Sequence, residues 1–205
     1  MPNTTPQVRK GRKFDQVVQG AREVFLATGF DRASVDDIAR TAGVSKATLY
    51  SYFPDKRLLF VEVMEREAAA KASDALDVID FGAPPSEVMP CIAETLVNIF
   101  VSEFGQQMYR MGISETPNFQ ELGQRFYEAG PLLIERTLVP YFEAAEARGQ
   151  LNIPDKVFAA NQFASLCESW LMMRVMLGVH GDISDTDRAK VVEGAAGMFL
   201  SHYAT

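Results

Sequence analysis

The stretch from Ser34 to Phe60, SVDDIARTAGVSKATLYSYFPDKRLLF, admits few backbone solutions because its punctuation is dense. Ser34 suits the N-cap of a helix, and Asp37 three residues on is a conservative variant of the capping box. Val35, Ile38 and Ala39 recur at i, i+3 and i+4 and so share one helical face. Gly43 follows as a residue free to take positive φ and close that helix, with Val44 plugging the corner. Ser45 caps a second helix, in which Ala47, Tyr50 and Ser51 share one side while Leu49 and Phe53 point into a small core. Pro54 ends it and Asp55 caps a third helix. Two short helices joined by a glycine corner make a helix-turn-helix, whose second helix is sized for the major groove of duplex DNA.

Charge is divided in the same way. The chain carries −7 overall, yet residues 1–57 hold ten Lys/Arg against six Asp/Glu, a net of +4 that leaves −11 on the remainder. Phosphate attraction depends on the local field, which screening confines to about 8 Å at physiological salt. A basic head on an acidic body therefore suits a protein that grips DNA at one end.

The run from Ala39 to Phe60, of the form AxxAGVSKATLYSYFPDKxxLF, resembles the DNA-binding head of the tetracycline-repressor (TetR/AcrR) family of bacterial regulators. The likeness is close from Lys10 to Phe60, and beyond that it rests on length and all-helical character. It implies a homodimeric repressor or activator that releases DNA when a small molecule occupies its C-terminal domain.

In such a head the exposed side of the second helix reads the groove. The candidate DNA contacts are Ser45, Lys46, Ala47, Thr48, Tyr50 and Ser51 there, with Ser34, Tyr52 and Lys56 beside it and Arg12 and Lys13 at the chain's basic start. Lys46 can reach a guanine or a phosphate, Ala47 and Thr48 offer methyl groups to thymine, and tyrosine hydroxyls suit phosphate oxygens. Tyr52 is equally well placed as a core residue. The second helix lacks Arg, Asn and Gln, the strongest bidentate base readers, so specificity is expected to be shared with DNA shape and the basic arm.

The organisation expected is a disordered arm over 1–9, a helix-turn-helix domain over 10–55, and a helical effector-binding and dimerisation domain over 56–205. The fold class is all-α with about nine helices. A connecting helix should run from 56 to about 79, and periodic segments follow at 85–104, 106–115, 118–147, 155–178 and 185–203, with a break or kink at Gly130-Pro131 or Pro140 in the longest. The last two segments, with small residues Gly194 and Gly197, are the dimerisation candidates, and a two-fold dimer would present both heads to a palindromic operator. An apolar or amphipathic effector is expected between segments 85–147 and 155–178. Candidate lining residues are Phe100, Phe104, Met108, Met111, Phe126, Asn161, Cys167, Trp170 and Arg174. For each of the apolar ones, a plain core role is the competing reading.

Several classes fall away. No phosphate loop, nucleophile elbow, Rossmann glycine pattern or metal-spaced ligand set occurs, so no catalytic residue, cofactor or metal is expected and the chain does not read as an enzyme. Cys91 and Cys167 are far apart, belong to no CxxC or Cys/His pattern, and read as buried thiols rather than redox or ligand groups. With no apolar run of transmembrane length and no signal-peptide core, a cytoplasmic protein without membrane contact is expected. The rival readings are a ligand-independent activator or other DNA-binding regulator, and a helical adaptor whose head binds protein.

Overall fold

A computed structural model of the chain describes residues 11–76, 79–117, 120–179 and 183–205. Among these residues the fold is all-α: eleven helices, with one isolated antiparallel bridge between Leu151 and Ala204. Two compact units divide the chain, Met1–Glu67 and Ala68–Thr205. The sequence reading ends the head at Asp55, whereas the division lies inside α4 (Lys56–Leu76). The expected arm over 1–9 lies outside the described residues.

In the first unit α1 (Arg12–Arg32) is interrupted at Gly29, which has non-helical dihedrals, and α2 (Val35–Thr41) and α3 (Lys46–Tyr52) form the helix-turn-helix. Both caps are as the spacing predicts: Ser34 Oγ accepts the Asp37 N–H at 3.0 Å and Ser45 Oγ the Thr48 N–H at 3.1 Å. At the corner Gly43 sits at φ +64°, and its N–H reaches Arg40 O while Val44 N–H reaches Ala39 O. That pair of bonds is a Schellman closure, and it needs a residue that tolerates left-handed dihedrals. Phe14, Val17, Val18, Ile38, Leu49 and Phe53 are buried together, and Phe14 meets Phe53 at 5.1 Å between ring centroids. The start of α4 joins this core through Leu59, Phe60, Val63 and Met64, and is fastened to α1 by ion pairs of Arg22 with Glu67 and Arg66 with Asp15.

The second unit is built on α5 (Pro85–Val101), which packs with α8 (Pro131–Ala147), α9 (Lys156–Glu168) and α11 (Asp185–Tyr203) around Met89, Ala93, Val97, Phe142, Phe163 and Phe199. The helix count exceeds nine because two predicted segments divide. Residues 118–147 break at Gly130, separating α7 (Gln120–Ala129) from α8, while Pro140 is accommodated inside α8. Residues 155–178 break at Ser169-Trp170, where Trp170 takes φ +67° and α10 (Leu171–Leu177) begins. The α5–α6 junction falls at Ser102 rather than at Gly105. Ser102 caps α6 (Glu103–Glu115) by accepting the Gly105 N–H at 3.0 Å, and the chain bends 67° there. No single helix among the described residues is long and apolar enough to cross a membrane.

At Gly20 α1 passes close to the corner. A Cβ there would stand 2.7 Å from both the backbone nitrogen and the Cβ of Ala42. Alanine gains about 1 kcal/mol of helix propensity over glycine, but overpacking against backbone costs about 1–3 kcal/mol. Gly20→Ala should therefore lose stability by on the order of 1 kcal/mol in urea unfolding followed by circular dichroism. A neutral or stabilised variant would mean that α1 and α2 part without cost.

Candidate nucleic-acid interface

Leu49 is fully buried and Phe53 nearly so, which fixes the rotation of α3 and leaves Ser45, Lys46, Ala47, Tyr50 and Ser51 exposed on its other side. Thr48 is half-buried. Its hydroxyl lies 2.9 Å from that of Ser45, and Ser51 donates to Thr48 O at 2.6 Å. Tyr52 packs edge-on against Phe14 at 5.7 Å and is half-buried. Arg12 and Lys13 are exposed on the first turn of α1, and Arg12 borders a groove with Asp15, Gln19, Glu23 and Thr41. Ser34 is spent on its cap: besides accepting from Asp37 N–H, it donates to the Asp37 carboxylate. That bond, with Arg40 beside it, holds the Asp37 carboxyl below the usual aspartate range, so the cap stays charged until the solution is more acidic than that range.

Two lysines have partners that their spacing did not announce. Lys56 donates to the carbonyls of Phe30 at 2.9 Å and Ala33 at 3.0 Å, with its ammonium 4.2 Å from the Phe30 ring. It therefore ties the end of α1 to α4 with two of its three N–H donors. Lys46 is paired with Asp36, Nζ to Oδ1 2.5 Å, with both side chains more than half exposed. An exposed pair of this kind is worth ~0–1 kcal/mol, so DNA can displace it. Asp36 was absent from the sequence-derived set because nothing in its local pattern distinguishes it from a helix-start acid.

In the body an apolar pocket of about 130 Å³ is lined by residues of α5, α6, α7 and α8, together with Ala68 and Ile79. Phe100 and Phe104 line it as expected, beside Leu96, Leu133, Ile134 and Thr137, which the sequence did not single out. Among the described residues none of 155–178 lines it: some of their apolar side chains are in the core and others, such as Phe158 and Met173, are exposed. Cys167 is buried in the core with Phe163, and burial pushes its thiol up to about 12, whereas Cys91 is exposed on α5, against the buried-thiol expectation. Asn161 donates to Glu135 at 2.8 Å, Arg174 faces Asp187 at 3.9 Å, and Trp170 is 46% exposed with the Arg174 guanidinium 4.6 Å from its ring centre. Met111 is buried, Met108 and Phe126 are half-buried, and none of the three is on the pocket wall. Among the described residues no group of three or more His, Cys, Asp or Glu is placed to hold a metal ion.

Comparison with known proteins agrees with this geometry at both ends of the chain. Residues 17–63 match the family model described as bacterial regulatory proteins, tetR family, and residues 87–205 match the C-terminal domain of AefR-like transcriptional repressors. The chain is 26% identical over 155 residues to the uncharacterized HTH-type transcriptional regulator YdeS of Bacillus subtilis (strain 168), covering 72% of this chain and 76% of that one. Among solved structures it is similar to the Flavonoid-responsive Regulator FrrA, with 35% identity, a TM-score of 0.74, and coverage of 95% of this chain and 98% of the other. It is also similar to a putative TetR-family regulator from Mesorhizobium loti MAFF303099, with 25% identity, a TM-score of 0.80, and coverage of 97% and 100%.

The Asp36–Lys46 pair predicts an asymmetric mutant. Asp36→Asn removes a negative charge beside the groove face and frees Lys46, so DNA affinity should rise by up to about fivefold. The salt dependence should steepen by about one phosphate contact per head. Fluorescence anisotropy over a salt series measures both, and an unchanged slope would show that Lys46 never reaches DNA.

Proposed function

The chain belongs to the TetR family of transcriptional regulators, and on that premise we propose that it is a dimeric repressor that binds a palindromic operator and is released by a small effector. The families and relatives it matches are DNA-binding transcriptional regulators rather than enzymes. The observation that carries the finer reading is the exposed side of α3, held outward by the buried Leu49 and Phe53. Lys46, Ala47, Tyr50 and Ser51 face the groove in this reading, while Arg12, Lys13 and Tyr52 are assigned to the phosphate backbone.

Dimerisation through α9 and α11 is supported by large apolar side chains left in solvent. Phe158 is 59% exposed on α9 and Met198 62% exposed on α11. On α11 there is open space where a Cβ at Gly194 or Gly197 would stand, room for a helix of a second copy. Repression is favoured over activation by the likeness of residues 87–205 to the C-terminal domain of AefR-like repressors. The apolar pocket is the effector site in this reading. A relative named for its response to flavonoids shares the fold, which makes aromatic compounds the first probes to try. The effector acts by binding the DNA-incompetent conformer more tightly, since equal affinity for both conformers shifts nothing. The reading places the protein in the cytoplasm, with its DNA.

Light scattering should give twice the 22.7 kDa chain mass at micromolar concentration. Operator selected from random duplexes should contain two half-sites related by a dyad. Lys46→Ala with Thr48→Ala should erase discrimination between operator and random DNA while leaving weak, salt-sensitive binding. A monomeric mass, a site without a dyad, or intact discrimination in the double variant would each sink the corresponding part of the proposal.

A further inference from the structure

The wall of the body's pocket restricts the chemistry of what can enter it. The space is about 130 Å³, is partly open, and is bordered by Ile92, Leu96 and Phe100 of α5, Phe104 of α6 and Leu133 and Ile134 of α8. A dry apolar cavity of about 150 Å³ accepts benzene, so this one suits a single ring or a short branched chain.

Its hydrogen-bonding capacity is one-sided. Two hydroxyls lie on the wall, and both have given their proton to the helix that carries them: Thr95 Oγ1 donates to Cys91 O at 3.0 Å, and Thr137 Oγ1 to Leu133 O at 2.9 Å. At the start of α8, where a helix usually leaves free N–H groups, Pro131 has none, and the Leu133 and Ile134 N–H groups both reach Gly130 O. The Gly130 N–H is likewise engaged, with Phe126 O at 3.1 Å. No charged side chain is among the described residues that line the space.

A guest therefore meets hydrocarbon and hydroxyl lone pairs, without a free hydroxyl proton or a cation. We propose that the pocket takes an uncharged hydrocarbon group of about one ring and turns away carbonyl, nitrile and carboxylate groups at the same position. The proposal rests on the reading of this pocket as the effector site and adds the class of group it accepts. An acceptor buried there loses water without gaining a donor, which costs about 1–3 kcal/mol or roughly five- to 150-fold in affinity. A guest hydroxyl is penalised less, since it can donate to a threonine oxygen. An amphipathic effector would enter apolar end first and keep its polar group outside.

The test uses the full chain with toluene and benzonitrile, two probes of nearly equal size that differ in a terminal acceptor, and benzoate as the charged member. Titration calorimetry or ligand-observed NMR should show toluene bound, benzonitrile at least about fivefold weaker and benzoate not bound. Ala68→Leu, which fills the space from α4, should abolish toluene binding. Thr137→Val keeps volume while removing a hydroxyl, and should leave the toluene-to-benzonitrile ratio unchanged whether or not the leucine variant folds. Equal binding of toluene and benzonitrile, failure of toluene to bind, or toluene binding undiminished in a folded Ala68→Leu variant would overturn the proposal. So would a benzonitrile affinity that collapses in Thr137→Val, because the hydroxyl would then be turning to donate inward. Toluene bound as expected with operator affinity unaltered would uphold the pocket's chemistry and instead refute ligand release.

Discussion

The presentation of the exposed side of α3 depends on a close contact remote from it, the approach of α1 to the corner of the helix-turn-helix. Gly20 lies so near Ala42 that a single added carbon has nowhere to go, and one residue further on Gly43 closes α2 by backbone bonds alone. Between them these two glycines fix where α3 starts and in which direction it leaves. The buried Leu49 and Phe53 then fix its rotation. The exposed residues of α3 owe their presentation to positions that never touch solvent.

The head was legible because its signals are local. Ser34, Gly43, Ser45 and Pro54 each act within four residues, and the structure uses the caps and the corner as the sequence spelled them. The body was legible in outline only. Gly130-Pro131 marked its break, since proline suits the first helical turn. Ser169-Trp170 gave no sign, because a tryptophan at positive φ has no local propensity behind it. The α5–α6 bend falls before Gly105, the breaker between the periodic segments 85–104 and 106–115, because the hydroxyl of Ser102 caps α6. The pocket was half found for a related reason. Aromatic and Met residues look alike whether they line a space or fill a core, and only the packing of α8 beside α5 tells Leu133 and Ile134 from Cys167.

Polar groups across the molecule are mostly committed before any partner arrives. Thr48 shares its hydroxyl with Ser45, Lys46 is held by Asp36, Lys56 by two carbonyls, and the threonines of the pocket by their own helix. Recognition by such a surface proceeds by exchange, one weak internal bond for one external bond. Exchange yields less energy than filling an empty site, and it makes binding sensitive to the alternatives on offer. α3 is also poor in the side chains that make bidentate base contacts.

The junction at Trp170 carries a consequence of another kind. This is the chain's single tryptophan, held at an unusual dihedral between α9 and α10, with Arg174 on α10 and Lys190 on α11 each within about 5 Å of its ring centre. Its indole emission thus belongs to one place in the molecule and responds to the distance of two cations and to the water around a half-open ring. The protein carries its own optical gauge of how α10 and α11 sit together, readable at low concentration without a label.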